Sequence, residues 1–299
     1  MRLVFDFDGT ITRKDTIGEL ARSAINSKPA QEQPGHEAAW KQAVHAYLED
    51  YATYETEYQP AESQRTSPEQ EKRFLAGLKS VEEASLTRVS DNGLFAGLKR
   101  TDLYRMGADA ASAGHISVRE GFYRLVDVAE QNGMRVNVLS VNWSSAFIAG
   151  VLDRRRGIDI VANDVDDEGQ IRGPLHTGTT RLTTASDKLA AMRHHVLGGA
   201  EHDAVFFFGD SATDLECLLW HSGIVLAESQ ESSPLLQTLA RIGTEVAHVS
   251  SLQDDGDKKS SGAGASRDRV SSLHDRHDQK LFWARDFREI LDCGIIEQQ

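Results

Sequence analysis

Apolar residues gather into a few short runs along this chain: Leu3 to Phe7, Arg135 to Leu139, Ala204 to Phe208 and Gly223 to Ala227. Runs of this length, bounded by glycine or acidic residues, suit strands buried on both faces of a parallel sheet. Val246 to Val249 adds a candidate edge strand. Helical patterns over Ser145 to Arg155 and Ala185 to Val196 separate most of these runs. The alternation of strand and helix predicts an α/β fold, with a Rossmann-like, doubly wound parallel sheet as its core.

The stretch between the first two runs is far longer than one crossover helix, and it contains no convincing strand. Glu37 to Tyr58 lacks both Gly and Pro, whereas Pro34, Gly35 and Pro60 punctuate its ends. A polar stretch from Pro60 to Glu71 leads into helical sequence at Lys72 to Leu86 and Leu94 to Ala113. Ser117 with Glu120 is the pattern of a capping box for a helix running to about Gln131. The insertion therefore reads as an α-helical cap over one end of the sheet. The expected organisation is an α/β core from residues 1–13 and 117–252, with a helical cap at 14–116. A flexible, Ser/Gly/charge-rich insertion follows at 253–280, and a C-terminal helix at 281–299 packs back on the core. Gly262 to Ser266 has no strand before it, so it reads as linker and not as a dinucleotide loop.

Composition narrows the function classes. There are 33 Lys and Arg against 46 Asp and Glu, a formal net charge of −13. That balance argues against a nucleic-acid binder or a basic membrane-surface helix. It leaves room for an anionic substrate, because one metal ion and one lysine reverse the field locally. The two cysteines, Cys217 and Cys293, allow neither a disulfide framework nor a four-ligand zinc site. No apolar run reaches the length of a membrane span, and the N-terminus lacks the features of a secretory signal. The expected setting is the cytoplasm, with no membrane and no nucleic-acid partner.

Candidate chemistry sits at the ends of the predicted strands, where open α/β sheets collect ligand-binding groups. Asp6 and Asp8 flank Phe7 at the end of the first strand, before the turn at Gly9. Such a pair repels unless a cation or shared proton intervenes; otherwise it is a solvated strand end. Asp210 and Asp214 follow the third apolar run, and oxygen ligands from two strands suit a hard cation such as Mg²⁺. Ser140 and Asn142 follow the second run and offer a hydroxyl and an amide to phosphate oxygens. Lys188 opens a helix; taken alone, it reads as an ordinary surface charge.

Taken in order, Asp6–Thr10, Ser140, Lys188 and Gly209–Asp214 resemble the motif set of the haloacid dehalogenase-like (HAD) hydrolase superfamily. The resemblance spans the core and implies Mg²⁺-dependent phosphoryl transfer on a Rossmann-like fold. It casts Asp6 as nucleophile and Asp8 as general acid/base. Ser140, Asn142 and Lys188 are then the phosphate-binding residues. Mg²⁺ is assigned to Asp6, Asp8 (through its carbonyl), Asp210 and Asp214. An aspartate at the second position favours phosphatase over dehalogenase chemistry. The large insertion and the hairpin-like Ala162 to Gly173 resemble the phosphoserine-phosphatase-like branch.

Trp40, Tyr47, Tyr51, Tyr54 and Tyr58 recur at spacings that place them on a narrow helical arc. The arc is either a packing face or an aromatic wall for a flat or cationic substrate, which Trp143 would extend. This cap helix, Ser140 to Ser144, Gly209 to Ser211, Cys217 to Leu219 and Trp283–Ala284 resemble the phosphatase half of plant thiaminase-II-like fusions. Those proteins act on thiamin monophosphate. The same features look like a fungal cold-tolerance branch of the superfamily. The resemblance implies a small phosphate monoester as substrate, with thiamin monophosphate leading and phosphoserine or another amino-alcohol phosphate as the alternative. A non-catalytic binding protein on the same fold is a further alternative. Asp15 aligns with a substrate-contacting acid of phosphoserine phosphatases, or caps a helix. With Asp15, the substrate-facing candidates are Trp143, Tyr47 and Tyr51.

Overall fold

The computed structural model describes residues 1–153, 155, 157–174, 180–198, 204–252 and 280–296. The expected flexible insertion therefore lies outside the described residues, apart from Lys280. Strand β1 (Arg2–Phe5) is followed by helices α1 (Ile17–Asn26), α2 (Gln33–Glu57), α3 (Pro68–Gly77), α4 (Lys79–Asp91), α5 (Arg100–Ser112) and α6 (Phe122–Gln131). Strand β2 (Arg135–Leu139), helix α7 (Ser145–Val151) and β3 (Asp159–Val161) come next, then a small hairpin of β4 (Asp164–Val165) and β5 (Ile171–Arg172). The chain continues through α8 (Ala185–Ala191), β6 (Val205–Gly209), α9 (Leu215–Trp220), β7 (Ser222–Leu226), α10 (Pro234–Arg241) and β8 (Val246–His248). It closes with β9 (Leu281–Ala284) and α11 (Phe287–Asp292).

Seven strands form one sheet in the order β3-β2-β1-β6-β7-β9-β8, and every neighbouring pair is parallel. This is the doubly wound α/β fold that the sequence pattern predicts, with β8 at an edge as expected. Side chains alternate between two cores. Leu3, Phe5, Phe206 and Phe208 join the cluster on one face, while Val4, Val205 and Phe207 join the cluster on the other. Phe5 stacks on its register partner Phe208 with centroids 4.3 Å apart. Burial on both faces explains why these strands read as continuous apolar runs.

Four sequence expectations need correction. Leu281 to Ala284, expected to begin the terminal helix, is instead a strand inserted between β7 and β8, and only Phe287–Asp292 is helical. Short apolar runs are ambiguous between strand and buried helix, and here two neighbouring parallel strands offer their free edges. Lys72 to Leu86 is not one helix, because α3 ends and α4 begins around Leu78; the Ser67/Gln70 capping box starts the first of them earlier. The helix expected from Leu94 begins only at Arg100. No capping box forms at Ser117: Val118 bridges Thr12, and α6 starts from Gly121, whose φ of +85° an L side chain rarely adopts. Helix α1 and strand β3 went unforeseen.

The long insertion is all helical, as expected. Its α5 packs intimately against α7, because Gly107 and Gly150 sit where a Cβ would meet the backbone oxygens of Phe147 and Tyr104 at 2.2 and 1.9 Å. Helices α2 and α4 contribute to the same cavity as the carboxyl ends of β1, β2 and β6. That end lies at the switch point of the topology, where the chain leaves β1 to one side for β2 and to the other for β6.

Candidate active site

Strand β1 ends at Phe5, and Asp6 continues it by one residue, donating its N–H to the Phe208 carbonyl at 2.8 Å. The chain then turns tightly through Asp8 and Gly9. Gly9 has φ +76°, and a Cβ there would lie 2.2 Å from Asp210 Oδ2, so only glycine fits this crossing. The turn delivers Asp6 and Asp8 to a single cavity of ≈ 500 Å³, which Asp15, Tyr47, Asn142, Trp143 and Asp210 also line.

Asp6 is buried and its Oδ1 accepts a 2.5 Å hydrogen bond from Lys188 Nζ. Among the described residues its Oδ2 accepts none. Lys188 is not a surface charge: it is fully buried behind the cavity wall and also donates to Asp214 Oδ1 at 2.6 Å. Its placement follows from the Thr184/Asp187 capping box, which starts α8 at Ala185, three residues ahead of it. Burial would strip the ammonium of its proton, but Asp214 and Asp6 outweigh burial and hold its pKa above the ordinary lysine value. Asp214 Oδ2 accepts from the Asp210 and Ser211 N–H groups at 3.0 Å each. Both of its oxygens are therefore engaged by the protein.

Asp8 is held differently. Its Oδ1 accepts from Thr16 N–H and hydroxyl at 2.8 and 2.6 Å, and its Oδ2 accepts from Asn142 Nδ2 at 2.8 Å. Burial, aided by the charge of Asp15, raises its pKa to about 6 against these bonds. The expectation that Asn142 binds phosphate meets this arrangement: its amide N–H₂ is given to Asp8 and Thr16. Ser140 is buried at the end of β2, where its hydroxyl accepts the Asn142 N–H at 3.0 Å.

A hard cation fits the donor set. Oxygens of Asp6, Asp210 and Asp214 lie within 4.8 Å of one another, and three carboxylates face one lysine. Asp210 accepts from the Thr10 hydroxyl at 2.8 Å. Burial and the neighbouring Asp214 push its pKa up to about 7.

The aromatic arc divides. Tyr47 reaches the cavity, while Tyr51, Tyr54 and Tyr58 pack against the second core, with Tyr54 donating to the Phe74 carbonyl at 2.7 Å. Trp40 meets Trp143 edge-on, with centroids 6.0 Å apart, and Phe95 meets it similarly at 6.3 Å. Of the three aromatic candidates, Tyr47 and Trp143 line the cavity and Tyr51 packs away from it. Asp15 lines the cavity and also accepts the Ile17 N–H at 2.9 Å at the start of α1.

Sequence reasoning missed three residues that shape the site. Arg119 is buried and donates to the carbonyls of Gly9 (2.6 Å), Thr10 (3.2 Å) and Arg285 (2.8 Å), clamping the turn that carries the aspartates. Asn163 bridges the Val141, Asn142 and Leu182 carbonyls and so braces the loop after β2. Glu82 on α4 lines the cavity and accepts a 2.9 Å bond from the Tyr47 hydroxyl. None carries a local motif; only the fold brings them to the site.

A parallel α/β sheet with paired strand-end aspartates, a second acidic strand end and a buried lysine is the architecture of a hydrolase superfamily. The family model described as haloacid dehalogenase-like hydrolase matches residues 3–219, and the chain belongs to that family. It is similar to a CTO1 family protein of Schizosaccharomyces pombe, at 29% identity over 243 residues covering 73% of this chain and 78% of the relative. It is also similar to Cold tolerance protein 1 of Saccharomyces cerevisiae, at 28% over 260 residues covering 77% and 80%. A solved protein of unknown function from Bordetella pertussis Tohama I shares the fold, with TM-score 0.53 and 16% identity over 80% of this chain and 94% of that one. Among the described residues no helix is long and apolar enough to cross a membrane.

Proposed function

We propose that this protein is a cytoplasmic, Mg²⁺-dependent phosphatase of a small phosphorylated metabolite. In this reading residues 14–116 cap a core of 1–13 and 117–252. The observation that supports it most is the pairing at one cavity of two differently held carboxylates. Asp6 is bonded to the buried Lys188 on one oxygen, and Asp8 is oriented by Thr16 and Asn142.

Asp6 Oδ2 attacks phosphorus, and the bond to the ester oxygen breaks with its electron pair going to that oxygen, which takes a proton from Asp8. Water then attacks the phosphorus of the aspartyl-phosphate and gives a proton to Asp8, while Asp6 leaves with the electron pair of its bond. Lys188 balances charge as the carboxylate meets the phosphoryl group, and in this reading the Ser140 hydroxyl, whose oxygen already accepts from Asn142, donates to that group. Asn142 acts by fixing Asp8. Mg²⁺, when bound by Asp6, Asp210 and the Asp8 carbonyl, supplies neutralisation of phosphoryl charge. Asp214 serves this site by holding Lys188 and the loop of Asp210 in place.

Thiamin monophosphate is the leading substrate: it is a small phosphate ester with a flat cationic ring, and Tyr47 and Trp143 offer an aromatic wall. A screen of phosphate release over thiamin monophosphate, phosphoethanolamine, phosphoserine and pyridoxal phosphate tests the assignment. A marked preference for thiamin monophosphate is expected, and no release from any ester contradicts the phosphatase reading.

A further inference from the structure

The residues lining the active-site cavity include five carboxylates, Asp6, Asp8, Asp15, Glu82 and Asp210, and among the described residues no Lys, Arg or His. Three of the five belong to the strand-end machinery, where the buried Lys188 offsets charge and a cation held there would offset more. Asp15 and Glu82 remain, and they come from a different direction, ahead of α1 and on α4. Two basic side chains at α4 are bonded to other groups. Lys79 bonds Asp187 at 2.7 Å and the Arg181 carbonyl at 3.0 Å, and Arg181 Nε bonds Glu83 at 2.6 Å.

We infer that the leaving group of the substrate is an alcohol bearing a nitrogen cation and no carboxylate, and that Glu82, oriented by Tyr47, selects it. The inference rests on the phosphatase reading and names its substrate class. Two features independent of the acids support it. The cavity holds about an entire small metabolite, at ≈ 500 Å³, and is continuous from Asp6 to Glu82. Two aromatic rings join its wall: Trp143, which Trp40 and Phe95 meet edge-on, and Tyr47, tied by its hydroxyl to Glu82. Acids combined with aromatic faces attract ammonium, quaternary nitrogen or a cationic ring. An anionic leaving group would meet two carboxylates and find no compensating cation. Hydroxyl groups of a neutral sugar ester would donate hydrogen bonds to either acid but bring it no counter-charge. Burial raises the Glu82 carboxyl above its usual range although Tyr47 opposes the change, as expected of an acid awaiting a counter-charge.

The test compares hydrolysis of phosphocholine with that of its carbon isostere, in which a quaternary carbon replaces the nitrogen, for wild type, Glu82→Gln and Glu82→Asp. Wild type should favour phosphocholine by about tenfold in kcat/KM. Glu82→Gln should collapse that ratio towards unity, and Glu82→Asp should restore part of it. Because the readout is a ratio, a general loss of fold cancels. Calorimetric binding of choline against the isosteric neutral alcohol gives the same comparison without turnover. Equal handling of both esters and both alcohols by wild type, or a preference that Glu82→Gln leaves in place, overturns the inference. Hydrolysis of p-nitrophenyl phosphate reports on the phosphatase reading separately. Its absence overturns that reading, and the binding comparison still decides whether the pocket selects a cation.

Discussion

Lys79 on α4 donates a 2.7 Å hydrogen bond to the carboxylate of Asp187, the residue immediately before the buried Lys188. The inserted helices are thereby tied to the helical turn that aims the lysine at Asp6. Burial raises the Asp187 pKa, but the bonds from Lys79 and Thr184 outweigh it and hold the carboxyl below its ordinary 3.8. A carboxylate depressed in the fold contributes stability that is complete above its unfolded value and is lost as pH falls through the folded one. A double-mutant cycle of Lys79→Met and Asp187→Asn in denaturant unfolding should show a coupling of about 0.5–1 kcal/mol at neutral pH. The coupling should fade in acid below 3.8; one that persists there would contradict the assignment.

Arg119 holds the turn between Asp6 and Thr10 without reaching the cavity. Removing its guanidinium leaves the carbonyls of Gly9, Thr10 and Arg285 without that donor and lets the aspartates shift. Arg119→Met should lower kcat by about 10²-fold, the scale of an ångström-level misplacement, with a smaller change in KM. Arg119→Lys should recover part of kcat. Steady-state kinetics of the folded variants, checked by circular dichroism, distinguish this from a loss of fold that scales both variants alike.

Glu82 stands in the fold with its pKa raised above 4.5 by burial, and the Tyr47 bond only partly offsets this. For an acid, a raised folded pKa means that ionisation costs stability. The cost is full above the folded pKa and absent below 4.5. Glu82→Gln should therefore melt a few degrees higher than wild type at neutral pH while losing selectivity, as happens where function keeps a site unrelaxed. The gain should vanish as pH falls to the unfolded value. A variant no more stable than wild type at neutral pH would count against an uncompensated acid.

The sheet and the strand-end residues were legible because both obey local rules. Residues Leu3 to Phe5 and Val205 to Phe208 are buried on two faces and so are apolar throughout. Asp6 and Asp210 follow strands directly, with Asp8 and Asp214 in the turns just beyond. Lys188 was legible only through the motif set, since nothing around it in sequence foretells complete burial. Strand β9 was hidden because Leu281 to Ala284 is short, apolar and adjacent to a true helix. Arg119, Asn163 and Glu82 act through contacts across the fold: Arg119 reaches Gly9 and Arg285, and Glu82 meets Tyr47 from another helix. No local spacing encodes such partners. The stripe from Trp40 to Tyr58 gave the right helix face but not its division between cavity and core, which depends on where α3 and α4 cross it.

The most direct measurement is intact-protein mass spectrometry after rapid acid quench of a Mg²⁺-supported reaction with p-nitrophenyl phosphate. Wild type should carry the added mass of a single phosphoryl group, localised by peptide mapping to Asp6. Both the adduct and phosphate release should disappear in Asp6→Asn and on chelation of the metal. Phosphate release at the wild-type rate by Asp6→Asn, or a phosphoryl group on another residue, would contradict it.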